Sequence, residues 1–406
     1  MLRFLSPLLG LSIFALASGY LMTLIPLRIN ALHGSDLLAG YMGSIYYIGL
    51  LAGSFRSEHL VTLFGHIRSF AAFMALLCAS VLSLAIFDST ASWLLLRFLN
   101  GLAIAGVFIV VESWLLCESD EKTRGKILSF YMVALYGANA IGQLFVGLID
   151  SLSLMPFIVI GTLLSLSILP PAMSRIPTPE LESVSSLNFI KLFKLTPSAI
   201  IGCLTGGMIL GALYSLLPIH LLEESGSEQS VSIQLSITML GGMLLQYPVG
   251  CYSDKIDRRK VLVAISTLGC ICCLLYIWFD HDSWINMILL FLIGGTTFTL
   301  YPLAISHGCD HLQPEDIVAG TQGLLLAYST GACIGPVLAA SFIKFSGSGL
   351  MLYFAVILAI VALFFLMRIP FRPVIYSSDE QSFVPVPRTT PLVAQIDPRS
   401  ETEESD

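Results

Sequence analysis

Residues 231–279 read VSIQLSITMLGGMLLQYPVGCYSDKIDRRKVLVAISTLGCICCLLYIWF, two apolar runs around a short turn holding Lys255, Arg258, Arg259 and Lys260. Each run is near the length at which a helix rising 1.5 Å per residue crosses a hydrocarbon core of about 30 Å. Four basic residues between two such runs mark a helical hairpin whose connection stays on the side of a membrane where Lys and Arg collect. The rest of the chain repeats the pattern.

Across 406 residues, 56% are hydrophobic and only 12% charged, with a mean hydropathy of +0.85. A soluble domain covers its surface with about twice that share of charge. The expected fold is therefore an all-α integral membrane protein with twelve transmembrane helices. They lie near 7–28, 37–55, 66–87, 93–117, 127–149, 154–173, 197–221, 231–252, 261–279, 284–306, 317–343 and 347–369. Backbone groups are not left unpaired in lipid, so each span must be helical. No succession of alternating segments points to a β-barrel.

With the spans numbered in order, the even connections and both termini share one face. That face holds Arg3, Arg56, Arg68, Lys122, Arg124, Lys126, Arg175, Lys191, Lys194, Lys255, Arg258, Arg259 and Lys260, then Arg368, Arg372, Arg388 and Arg399. The opposite connections hold Arg28 and Lys344 beside Asp36, Asp88, Asp150, Glu223, Glu224, Glu228, Asp280 and Asp282. Arg97, the remaining basic residue, lies inside a span. Positive-inside bias places both termini in the cytoplasm. The first span, though preceded by Arg3, runs past 20 residues and reads as a retained helix rather than a signal peptide. The net charge of -7 comes mostly from outer connections and an acidic tail, and implies no nucleic-acid partner.

Composition divides the chain into a six-helix half at 1–173, a polar linker at 174–196, a second six-helix half at 197–369 and a tail at 370–406. The tail, with six prolines and no long apolar run, is expected to be disordered in the cytoplasm. The halves carry a faint repeat at an offset of 193 residues: Phe98, Leu99 and Gly101 match Phe291, Leu292 and Gly294, Ser113 matches Ser306, and Ile141-Gly142 matches Ile334-Gly335. Such pseudo-symmetric halves suggest alternating access, with solute bound between them near the midplane. Small residues four apart, Gly101 and Ala105, Ala138 and Gly142, Gly331 and Gly335, allow helices to approach closely, whether as fixed packing or as a rocking contact.

The loop Gly250-Cys251-Tyr252-Ser253-Asp254-Lys255-Ile256-Asp257-Arg258-Arg259-Lys260 resembles the cytoplasmic signature of the major facilitator superfamily. By that resemblance it is a cytoplasmic gate, with Asp254 addressing the start of span 5 near Lys126. The equivalent loop after span 2 keeps Gly53, Arg56, Gly65 and Arg68 but lacks the Asp four residues after Gly53. Arg97, Gly101 and Ala105 are similar to the superfamily's pattern in span 4. Gly65-His66-Ile67-Arg68, Glu112-Ser113-Trp114-Leu115 and Gly331-Ala332-Cys333-Ile334-Gly335-Pro336 look like the YcaD-type bacterial branch. The resemblance covers about residues 1–370. It implies a multi-pass, monomeric protein of the bacterial inner (plasma) membrane, in contact with lipid, moving a small-molecule solute with protons as the coupling ion.

Arg97 is costly inside a bilayer, about 2.5–3.5 kcal/mol at a helix centre on insertion scales. It is a candidate for solute binding or proton relay, or it snorkels past Trp93 to the outer surface. Glu112 sits about one turn from the cytoplasmic end of span 4. It is either a proton carrier or an inner-gate ion-pair partner of Arg56, Arg68 or Arg124. Tyr136, Asn139 and Gln143 share one face of span 5. Tyr20, Thr23, Tyr214, His220, Thr296, Thr297 and Tyr301 are further candidates on spans 1, 7 and 10, or they bond neighbouring helices. Cys270, Cys272 and Cys273 lie in an apolar helix as small hydrophobes. His307, Cys309, Asp310 and His311 match no strong zinc spacing, so no metal is expected. No cofactor is expected either, since no phosphate-binding Gly-rich loop occurs. Without a clustered catalytic set the chain is not expected to be an enzyme. Secondary transport is the leading expectation, with multidrug efflux antiport and a transporter-like sensor as alternatives. Gly142-Gln143, where exporters carry Gly-Pro, weakly disfavours the former.

Overall fold

The computed structural model describes residues 2–117, 121–174, 196–279, 284–310, 312 and 317–369, with the side chains of 2–4, 58, 116–117, 121–126 and 317–318 outside the description. The interior of the expected linker and the whole expected tail lie outside the described residues, as do the side chains of Arg124 and Lys126.

The first half runs α1 (Leu2–His33), α2 (Asp36–Phe64), α3 (His66–Ile86), α4 (Thr90–Cys117), α5 (Glu121–Leu144) and α6 (Met155–Leu166). The second runs α7 (Pro197–Ser225), α8 (Glu228–Ser253), α9 (Arg258–Tyr276), α10 (Trp284–Cys309), α11 (Ile317–Ile343) and α12 (Gly349–Arg368). Among the described residues, ten of these helices, and α6 together with the turn that follows it (Met155–Ala172), are long and apolar enough to cross a membrane. The exception is α8, long enough at 26 residues but polar over its first turns. Its Ser232, Gln234, Ser236 and Thr238 are buried, and the helix packs on α5 and α10. Protein rather than lipid surrounds that polar surface, so apolarity is not required of it. The expected span 154–173 coincides with the membrane-length segment Met155–Ala172, interrupted where α6 ends at Leu166 and a separate helical turn, Leu169–Ala172, begins. Pro170 and Pro171 lack the donors that would continue the ladder.

The acidic-face hairpins are built alike. Gly34 (φ 57°) and Gly226 (φ 63°) take the left-handed turn that a side chain disfavours. The next residues, Ser35 and Ser227, cap α2 and α8 by accepting from Leu38 N and Ser230 N. Acids follow at Asp36 and Glu228, favoured at a helix N-terminus.

The tightest helix pairs rest on reciprocal glycines. A methyl group on Gly101 (α4) would overlap the main-chain oxygen of Tyr46 (α2), and one on Gly49 (α2) would overlap that of Phe98 (α4). In the second half Gly294 meets Thr238 O and Gly241 meets Phe291 O in the same way. The α1–α5 pair repeats the device with Gly142 on Leu16 O and Gly19 on Asn139 O. The α7–α11 pair does so with Gly335 on Met208 O, Gly331 on Leu204 O and Gly211 on Ala332 O. These positions keep an offset of 192 or 193 residues, so the faint sequence repeat is a repeat of backbone clearances. Ala105 and Gly53 lie together between α4 and α2; Pro336 instead faces the other half, against Gly40 of α2.

Between the halves, α5 faces α8 and α2 faces α11. Near the acidic face these pairs touch. Ser236 Oγ donates to Ala140 O at 3.0 Å, Ser151 Oγ donates to Glu228, and Gly43 abuts Ser215. Toward the basic face the α5–α8 stripe diverges: Gly137 fronts open space, and Val133 and Tyr247 are 59% and 63% exposed. The two halves form a wedge, shut at the acidic end.

Candidate functional site

The wedge holds a half-open cavity of about 100 Å3. Ser18 and Met22 of α1, Tyr46, Tyr47 and Leu50 of α2, Ile104 and Phe108 of α4, and Leu135, Tyr136 and Asn139 of α5 line it from the first half. Tyr214 of α7 and Tyr328 of α11 complete it from the second. Five tyrosines thus face one space from four helices. Tyr136 and Tyr214 both meet Phe298 edge-on, with ring centres 5.9 and 6.1 Å away.

A smaller chamber of about 10 Å3, room for about one water, adjoins the cavity toward the acidic face and shares Met22, Tyr46, Tyr47 and Tyr214 with it. Arg97 lines this chamber. Its side chain does not reach the outer surface: it is 4% exposed, and its guanidinium carbon stands 4.7 Å from the centre of the Tyr46 ring. Nε and Nη1 find no hydrogen-bond partner. No carboxylate lines either chamber among the described residues.

The other residues expected on span 5 and its neighbours divide. Tyr136, Asn139 and Tyr214 line the cavity. Gln143 turns to α1, where Thr23 donates to it. Tyr20 is buried with its ring 5.9 Å from Phe145. Thr296 and Thr297 donate back to carbonyls of their own helix, the usual way a hydroxyl is satisfied in an apolar helix. Tyr301 packs against Tyr328, ring centres 4.7 Å apart and planes tilted by 56°. His220 stands 3.1 Å from Glu224, which also accepts from Tyr276. Arg28, read as a loop residue, is buried and donates through Nη1 to the carbonyls of Ser151, Leu152 and Ser153 at 2.8–3.0 Å.

Near the basic face, Glu112 is 1% exposed and accepts from the Tyr131 hydroxyl at 2.6 Å. Arg56 and Arg68 are exposed, and neither pairs with Glu112 among the described contacts. His66 of the Gly65–Arg68 run lies beside Trp114 of the Glu112–Leu115 run, ring centres 6.1 Å apart.

Chain-wide comparison decides the family. The sequence model of the Major Facilitator Superfamily matches residues 8–228 and 199–394. The uncharacterized MFS-type transporter YcaD of Escherichia coli is 30% identical over 366 residues, covering 88% of this chain and 94% of that one. Its Escherichia fergusonii counterpart is 29% identical over the same length, with the same coverage of each chain. The chain belongs to the major facilitator superfamily. The fold agrees. The nucleoside transporter NupG superposes with a TM-score of 0.76 at 16% identity, over 91% of this chain and 100% of that one. A bacterial homolog of the human lysosomal transporter Spinster, crystallised inward-facing and unoccupied, gives 0.72 at 13% identity, over 90% and 96%.

Within this superfamily fold the α8–α9 loop is an ion-pair cluster. Arg258 bridges Asp254 and Asp310, each at 3.0 Å. Arg259 holds Asp257 at 2.8 Å, and Asp257 caps α9 by accepting from Arg259 N. Burial alone would raise the Asp257 carboxyl. The side-chain and backbone hydrogen bonds from Arg259, with the charges of Arg259 and His307, bring it below its ordinary value. The expected Asp254 contact near Lys126 concerns a side chain outside the described residues. Asp310 is committed to Arg258, and among the described residues no His, Cys, Asp and Glu group could hold a metal ion. His311 lies outside that description.

Sequence reading missed Ser18, Met22, Tyr46, Tyr47 and Tyr328. Adjacent tyrosines in mid-span, Tyr46-Tyr47, were the available signal: two phenols are needless where only lipid is to be faced.

Proposed function

We propose that this superfamily member is a secondary active transporter that moves a small organic solute by alternating access and is coupled to protons. The wedge carries this reading: one cavity between two halves, shut toward the acidic face by Ser236 and Ala140 and diverging toward the basic face. The positive-inside bias makes the basic face cytoplasmic, which puts both termini inside an inner membrane and makes this conformation inward-facing. Residues 1–173 and 197–369 are then the two bodies that rock, joined by 174–196.

Glu112 is the proton-carrier candidate, because it is a buried carboxylate on the helix that also bears Arg97. The alternative of drug efflux loses support from the lining. A cavity for lipophilic cations gains from a carboxylate; none lines this one among the described residues, and the adjoining chamber presents a guanidinium. Reconstitution into proteoliposomes tests transport. A panel of radiolabelled organic acids, nucleosides, sugars and amines is offered with and without an imposed proton gradient. Gradient-dependent accumulation of one class is the expected result; no movement of any solute in either direction would falsify the proposal.

A further inference from the structure

We propose that the chamber at Arg97 binds the anionic group of a flat organic acid, its carboxylate at the guanidinium and its ring system among Tyr46, Tyr47 and Tyr214. The inference rests on the transport function proposed above and names its substrate class.

Arg97 differs from the other buried arginines. Arg28 has three main-chain oxygens, Arg258 has Asp254 and Asp310, and Arg259 has Asp257. Arg97 has the Tyr46 ring, with Tyr47 beside it, and no acceptor for its Nε and Nη1, although it lines the chamber that adjoins the cavity. A guanidinium sheltered from water needs a counter-charge, and a ring quadrupole compensates only in part. The ring supplies no lone pair to Nε and Nη1, the two unmatched donors, and a carboxylate would. Phenol rings then supply flat apolar walls around whatever the carboxylate is attached to.

The test uses full-length protein in phosphatidylcholine nanodiscs, so that no anionic lipid supplies the charge. Three probes of one shape, 2-naphthoate, 2-naphthamide and 2-naphthylmethylammonium, are titrated by thermal shift and by intrinsic fluorescence. Naphthoate is expected to bind at least tenfold more tightly than either analogue. Arg97→Gln should lose that preference and Arg97→Lys should keep part of it. Equal binding of naphthoate and naphthamide to the wild type overturns the proposal, as does undiminished naphthoate preference in Arg97→Gln. The wild-type series decides even if Arg97→Gln does not fold. The transport function fails separately. Arg97-dependent naphthoate binding without movement of any solute removes transport and leaves the site. Transport of a neutral or cationic solute without naphthoate selectivity removes the site and leaves transport.

Discussion

Ser236 on α8 donates its hydroxyl to the main-chain oxygen of Ala140 on α5 at 3.0 Å, sharing it with Ser232 O of its own helix at 2.8 Å. A polar bond between the halves thus helps hold the acidic end shut. A neutral hydrogen bond of this kind contributes about 1 kcal/mol, so Ser236→Ala should raise the population open at the acidic face roughly fivefold. A cysteine at Tyr214, in a background without native cysteines, reads this as faster labelling by an impermeant thiol reagent applied from outside. Unchanged labelling would mean that the bond does not hold the gate.

Glycine substitutions should fall into two groups. Gly294→Ala drives a methyl into Thr238 O, backbone that has no rotamer to yield, and overpacking of this kind costs about 1–3 kcal/mol or more. Gly137→Ala meets nothing within 4 Å and gains helix propensity of about 1 kcal/mol. Melting temperatures in detergent should drop for the first and hold or rise for the second.

The spans, the facing of the charges and the four-residue glycine spacings were legible because each is local. Length, sign and period are properties of short stretches. Tyr46 and Tyr328 could not be brought to one cavity from sequence, since 282 positions separate them and only the packing of α2 on α11 joins them. Thr296 and Thr297 misled for the opposite reason. Polar residues in mid-span look like solute ligands, yet a hydroxyl satisfies itself on its own helix. Glu112 was legible as a carboxylate inside a helix, but its burial and its Tyr131 partner were not.

Acid should loosen the α8–α9 loop. The Asp257 carboxyl titrates below its ordinary value when folded, so the unfolded chain binds its proton first as pH falls. The stability this group contributes is complete above the ordinary carboxylate range and is lost as pH falls through the depressed folded value. Thermal melts from about pH 6 to pH 3 should show a sloping acid limb that is shallower in Asp257→Asn. Identical limbs would remove Asp257 from the account.

Glu112→Gln separates carriage of a proton from carriage of solute. Where Glu112 is the carrier, gradient-driven accumulation should fall at least tenfold while exchange of solute between equal pools continues. Tyr131→Phe, which removes a 2.6 Å donor to Glu112, should shift the pH at which accumulation is half-maximal. Loss of both accumulation and exchange in Glu112→Gln would instead make the residue part of the scaffold.

The paired glycines also record how the molecule came to be twofold. Side chains of the two halves have drifted until few coincide, yet Gly101 and Gly294, and Gly142 and Gly335, still stand where a neighbouring helix's main-chain oxygen leaves no room for a methyl. An ancestral duplication would be remembered longest at such places, because no compensating change elsewhere can make space for an added carbon. The memory of the repeat is kept in what is missing.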